Sequence, residues 1–205
     1  MRTNTNGKCA SCGERKGDRL CPKLKASLCS PCCGTKREKE ILCVEACGYL
    51  KKGKDYQLHR EIEKRISSDL RSETEDIFER DEVVVFPMAL EKFFVDRFYG
   101  DKEARDDDIY KALTKIYAFQ KGILRDMEWE NKFERSVFKK FNEVDKQFSS
   151  LSAELKAKAI LRMIKSVRSS SSSVLGNRNY LEMIYSQHTG KGRWAELFRK
   201  LESEG

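Results

Sequence analysis

Beyond residue 54 the apolar positions of the chain recur at intervals of three and four, the period of an α-helix. Leu58, Ile62, Ile66 and Leu70 fall on one face of a first helix, and Ser72-x-x-Glu75 has the form of a capping box opening a second, short one. The β-branched run Val83, Val84, Val85, followed by Phe86, suits a brief strand. Pro87 then fits the first turn of a helix carrying Leu90, Phe93, Phe94 and Phe98, with Gly100 at its end. Ile109, Leu113, Ile116, Tyr117 and Leu124 mark the next helix, Phe133, Val137, Phe141, Val144 and Phe148 another, and Ala157, Ile160, Ile164 and Val167 one that follows Ser152. Aromatic residues at this spacing are core positions. Tyr180, Leu181, Ile184 and Tyr185 predict a penultimate helix, Gly190-Lys191-Gly192 a turn, and Trp194, Leu197, Phe198 and Leu201 a closing amphipathic helix. The serine run Ser169 to Ser173 is the candidate hinge. Residues 55–205 therefore read as an all-helical bundle domain.

Residues 1–54 carry no such period, and all eight cysteines of the chain lie there. They are spaced as Cys9-Ala-Ser-Cys12, Cys21-Pro22, Cys29-Ser-Pro-Cys32-Cys33 and Cys43-Val-Glu-Ala-Cys47. Zinc takes four soft ligands in a tetrahedron, so eight thiols supply two ions. A disulfide framework would need an oxidising compartment. The first seven residues have no apolar core of an export signal, and no stretch approaches the roughly 18 apolar residues of a membrane span. The expectation is a cytoplasmic chain with reduced, metal-binding thiols and no membrane partner. Cys21-Pro22 admits an iron-sulfur alternative, but the compact spacing of a ferredoxin run is missing.

In a cross-brace, alternate pairs share an ion: Cys9, Cys12, Cys29 and Cys32 on one, and Cys21, Cys33, Cys43 and Cys47 on the other. The sequential alternative, Cys9, Cys12, Cys21 and Cys29 followed by Cys32, Cys33, Cys43 and Cys47, places adjacent residues on one ion and is strained. The expected fold is thus mostly α: a small N-terminal two-zinc cross-brace or treble-clef-like module, residues 1–54, followed by the helical bundle.

The pattern Cys9-x2-Cys12, Cys21-Pro22, Cys29-Ser-x2-Cys33 and Cys43-x3-Cys47 resembles the interleaved two-zinc fingers of the HIT, MYND and B-box type, with Leu24 where those fingers carry a further cysteine. That resemblance implies a protein-binding module. The segment from Leu28 to Leu50 is also similar to the N-terminal part of an uncharacterised group of bacterial cysteine-rich proteins, which implies no activity.

Charge bears on the partner. Residues 1–60 hold 14 Lys and Arg against 6 Asp and Glu, so the whole formal excess of +8 sits on the cysteine-rich end. Eight thiolates and two Zn2+ would cut that surplus by about four charges. Lys36, Arg37 and Lys39, expected on a short helix after Cys33, and Lys51, Lys52 and Lys54 form two basic stripes able to meet phosphates. The competing reading is a solvated face, with Lys36 and Glu40 at ion-pair spacing. In the tail, Arg178, Tyr180, Tyr185, His188, Lys191, Arg193 and Trp194 have a composition that stacks on bases, but the single apolar face of the last helix favours docking on the bundle.

Enzymatic motifs are missing. His59 and His188 are isolated in sequence, Lys191-Gly192 is no phosphate loop, and eight cysteines for two ions leave no open coordination position. Asp106, Asp107 and Asp108 read as the first turn of a helix, where carboxylates meet the dipole, in preference to a hard-cation site. No small-molecule substrate is evident. The expectation is a non-enzymatic zinc protein acting as a protein-binding adaptor, with nucleic-acid or ribonucleoprotein binding as the alternative and a thiol redox switch at Cys32 or Cys33 as a third. An adaptor surface would use exposed apolar residues of the head such as Leu28, Ile41 or Leu50.

Overall fold

The computed structural model describes residues 7–72, 81–125, 131–171 and 177–190, together with 195, 196 and 199. The chain is mostly helical. Among the described residues its elements are β1 (Arg19–Cys21), β2 (Ala26–Leu28), α1 (Ser30–Lys36), α2 (Gly48–Ser72), α3 (Asp81–Phe98), α4 (Asp106–Gln120), α5 (Lys132–Gln147), α6 (Ala153–Ser170) and α7 (Asn179–Thr189). Two compact units divide it, residues 1–63 and 64–205, the division falling inside α2. No described helix is long and apolar enough to cross a membrane.

The first unit is built on a hairpin. β1 and β2 pair antiparallel, with Arg19 opposite Leu28, Leu20 opposite Ser27 and Cys21 opposite Ala26. Because side chains alternate across a strand, this register puts buried Cys21 and Leu28 on one face and Leu20 on the other. The core here is Cys9, Cys21, Leu28, Cys29 and Ile41, with Cys12, Cys32, Cys33 and Cys43 packed against it. Leu28, Ile41 and Leu50 are therefore not surface residues as expected: all three are buried. Leu28 and Ile41 are the large aliphatic side chains of this small core.

The second unit is a helical bundle in which α6 packs on α4, α3 and α7, while α5 packs on α4 and α3. Phe86, Leu90, Phe94, Leu113, Ile116, Phe141 and Ile160 are fully buried. Phe86 meets Phe141 and Phe148 edge-on, with centroids 6.4 and 5.8 Å away, a favoured aromatic geometry. Side-chain caps start α5 and α6. Asn131 accepts from the Glu134 N–H at 2.8 Å, and Ser152 from the Leu155 N–H at 3.2 Å.

Three expectations for this unit change. Val83 to Phe86 are helical, and Pro87 lies inside α3 instead of in its first turn. Val83, Phe86, Leu90, Phe94 and Phe98 form one buried stripe at steps of three and four. Burying them at about 1.5–3 kcal/mol each outweighs the roughly 3 kcal/mol cost of an internal proline. Ser169 and Ser170 are not linker but the last turn of α6, and Ser171 is fully buried.

The acidic run begins α4 as expected, with Asp107 paired to Lys111 at 2.6 Å and Asp108 accepting from the Arg105 N–H at 3.0 Å. Asp106 does more. Its buried carboxylate accepts from Ser171 Oγ at 2.7 Å and from the Tyr180 and Leu181 N–H groups at 2.9 and 3.2 Å, capping α7 from another helix. Glu75 of the capping box, Ser172 and Ser173, the Lys191-Gly192 turn with Arg193, and the closing helix marked by Trp194, Leu197, Phe198 and Leu201 lie outside the described residues.

Candidate metal centre

Three local structures bring four sulfurs together. The chain reverses tightly between Cys9 and Arg15: the Cys9 N–H donates to the Arg15 carbonyl at 2.7 Å and the Gly13 N–H to the Cys9 carbonyl at 2.8 Å. Gly13 has φ +69, a left-handed conformation that costs glycine little. The Ala10 N–H donates to the Ser27 carbonyl at 2.8 Å, fastening this turn to the hairpin. At Gly17 an added Cβ would sit 2.7 Å from Ser27 Cβ, so only glycine allows that approach. Directly after β2, Cys29 caps α1 in extended conformation and Pro31 occupies its first turn. Cys29 and Cys32, three apart across that start, then face the Cys9 turn.

The result is a group in which the Sγ atoms of Cys9, Cys12, Cys29 and Cys32 all lie within 4.8 Å of one another, an arrangement that can hold a metal ion. Tetrahedral zinc with sulfur at about 2.3 Å requires sulfurs about 3.8 Å apart, a spacing within that limit. All eight cysteines are free thiols, with Cys9 and Cys29 buried and Cys12 and Cys32 half-buried.

The thiols of this group differ. Burial alone raises the Cys9 pKa, but hydrogen bonds from the backbone at Cys12, Cys29 and Ser11 outweigh it and bring the value down to about 6. Backbone hydrogen bonds at Arg15 and Glu14 also lower Cys12. Cys32 is pushed up to about 11, first by its hydrogen bond with Cys29. Thiolates this close repel one another, so ionisation of the whole group is unfavourable unless a cation joins it. A divalent ion removes that conflict.

The grouping is that of alternate pairs. Cys21, Cys33 and Cys43 share the buried core with the four, but with Cys47 they do not form a second group of equal tightness. Cys47 is itself buried, one residue before α2.

No protein-family model, curated protein or solved structure matches this chain. Its chemistry has to be read from its own residues.

The basic stripes are partly consumed by the fold. α1 begins before Cys33 and ends at Lys36, so Arg37 is its C-cap and Lys39 lies in the following turn, not on a helix after Cys33. Lys36 pairs with Glu40 at 2.7 Å, and Lys54 with Glu38 at 3.0 Å. The Arg37 guanidinium covers Gly53, where an added Cβ would meet Nη1 at 1.5 Å. Lys39, Lys51 and Lys52 are exposed.

Sequence reasoning also missed the apolar surface. Leu20, Leu24 and Leu42 are 66, 49 and 74 % exposed, and Tyr49 and Tyr56 are exposed on α2. Leu20 and Leu24 belong to the hairpin and its loop. Alternation was the available signal: once Cys21 and Leu28 face inward, Leu20 must face out.

Proposed function

We propose that this chain is a zinc-binding, non-enzymatic interaction protein whose metal-organised head presents an adaptor surface to a protein partner. The observation that carries this reading is the exposure of Leu20, Leu24, Leu42, Tyr49 and Tyr56 on the first unit. Among the described residues, the second unit exposes one comparable side chain, Phe119. Solvated leucines on a small module are what a partner would cover.

Zinc is the ion best suited to four thiolates in a closed tetrahedron. The order of turn, hairpin and helix start supports a treble-clef-like head. A second ion is assigned to Cys21, Cys33, Cys43 and Cys47, three of which already share a core with the first group. Fully thiolate-ligated ions offer no open position to a substrate, which favours a structural role. Nucleic-acid binding is the competing reading. It is weakened because Lys36 and Lys54 are held in ion pairs and Arg37 lies over Gly53.

The two readings separate on salt and on surface variants. Zinc-loaded, reduced protein is titrated by fluorescence anisotropy with single-stranded and duplex DNA and RNA across a salt series, and used in parallel for affinity capture. The adaptor reading expects weak, non-specific nucleic-acid binding, and a captured partner retained at moderate salt but lost when Leu20→Glu and Leu24→Glu are combined. Tight nucleic-acid binding with a steep salt slope, abolished by Lys39→Glu, Lys51→Glu and Lys52→Glu together, would replace it.

A further inference from the structure

We infer that the hairpin loop of the head is the contact point for a partner, and that this partner is an acidic protein segment with an apolar side chain flanked by carboxylates. The inference rests on the adaptor reading. The loop, residues 22–25, joins β1 to β2 and presents Leu24 between Lys23 and Lys25, all three exposed, with Leu20 exposed on the strand before it. The run from Arg19 to Arg37 holds five basic residues and no acidic one. Three of the five are occupied: Arg19 lies over the Tyr49 ring at 5.1 Å, Lys36 pairs with Glu40, and Arg37 covers Gly53. Asp18, just before β1, accepts from Ser30 Oγ at 3.1 Å. Among the described residues no ion pair involves Lys23 or Lys25. Unpaired positive charge therefore stands on either side of a leucine that a partner would cover.

The backbone adds an independent sign. Lys25 has φ +52, where glycine would sit at less cost, so its side chain is carried at a penalty of about 1 kcal/mol. Charge complementarity then sets the partner's sign, since carboxylates beside an apolar anchor meet both lysines and relieve the exposed leucines. Other anions suit this loop less well. Unpaired bases stack on aromatic rings, and residues 19–28 contain none. Anionic membranes are held by clusters of roughly four to eight Lys or Arg, against the two of this loop. In an acidic segment, burial of Leu20 and Leu24 supplies most of the affinity and the lysines select the partner.

The test selects a displayed library of random peptides on the reduced, zinc-loaded full chain, then measures the enriched sequences by fluorescence anisotropy. The expected result is enrichment of peptides that place Leu, Phe or Trp beside two or more Asp or Glu residues. Their affinity should fall by at least about tenfold when Leu20→Ser and Leu24→Ser are combined, and likewise with Lys23→Glu and Lys25→Glu. Lys139→Glu with Lys146→Glu, an equal charge change at exposed positions of α5, should leave it intact. Lys25→Gly guards against misfolding, because it relaxes the loop: binding should weaken about two- to fivefold although the head gains stability. Enrichment of neutral peptides that need Leu20 and Leu24 but not the lysines would overturn the acidic partner and leave the adaptor reading standing. No enrichment, or peptides indifferent to both loop variants, would overturn the loop as the contact point. Binding to phosphatidylserine-containing vesicles that the loop variants abolish, with no acidic peptide enriched, would replace the protein segment with a membrane surface.

Discussion

The two units of this protein solve the problem of a core by different chemistry. The helical unit buries phenylalanine, isoleucine and leucine in stripes that a helical period sets down every three or four residues. The head has a core whose main constituent is cysteine, with Leu28 and Ile41 as its large aliphatic members. Apolar burial at about 25 cal/mol per Å2 can sustain the first kind of core, while a module of some fifty residues with few large side chains falls short without a further cross-link. The Cys9, Cys12, Cys29 and Cys32 group is placed to supply it by holding a metal ion, and in such modules the binding free energy of the ion is folding free energy. On the proposed reading, stability in one unit is spread over many side chains, and in the other it is concentrated in a few sulfur atoms.

The largest effect should come from breaking the head alone. Cys9→Ser, or removal of metal by a strong chelator, takes away ligation worth on the order of 10 kcal/mol. The expected outcome is loss of the amide signals of residues 7–47 in NMR spectra while those of α3 to α7 persist. A concerted loss of both sets would erase the contrast between the units.

Next in size is a change confined to the bundle. Asp106→Ala leaves the N–H groups of Tyr180 and Leu181 and the Ser171 hydroxyl without their buried acceptor, and should cost about 3 kcal/mol. Urea unfolding followed on the helical signal should show it, with metal content unchanged.

A smaller effect carries a pH signature. Asp69 is partly buried, which raises its pKa, but the Tyr117 hydroxyl, Arg65 and Lys121 outweigh this and hold it below the usual carboxylate range. A depressed pKa stabilises the fold above the unfolded value near 4 and loses that contribution as pH falls through the folded value. Asp69→Asn should therefore cost about 1–2 kcal/mol at neutral pH and flatten the acid-induced loss of stability below about pH 4. An unchanged acid profile would show that the carboxylate does not contribute.

The smallest change runs in the other direction. Lys25, in the hairpin loop, has φ +52, a conformation that costs an L-residue about 1 kcal/mol. Lys25→Gly should stabilise the head by up to about 1 kcal/mol, detectable as slower amide exchange in β1 and β2 with no change in α4 or α6.

How much of this was legible in the sequence also differs between the units. Helical stripes such as Ile109, Leu113, Ile116 or Phe133, Val137, Phe141 announce themselves because a local period reports a tertiary face. Cysteine spacing likewise carried Cys9, Cys12, Cys29 and Cys32 together, since pairs at x2 spacing are natural ligand corners. Pro87 misled because a local preference was weighed against a stripe running from Val83 to Phe98. Asp106 gave no sign of capping α7, seventy-odd residues away, because such a contact has no local signature. Leu28, Ile41 and Leu50 were placed outside although all three are buried, and the hairpin register puts Leu28 inside and Leu20 outside. Side-chain facing in short irregular segments is set by pairing, and no period reveals the pairing.

The claim that the head is organised by zinc on thiolate ligands is tested most directly by zinc analysis and zinc K-edge absorption on the reduced full-length chain. The account expects two ions per chain, each surrounded by sulfur alone at about 2.3 Å, falling to at most one when Cys9, Cys12, Cys29 and Cys32 are changed to Ser together. A folded head without metal, or an ion bound through oxygen and nitrogen and indifferent to those four changes, would contradict it.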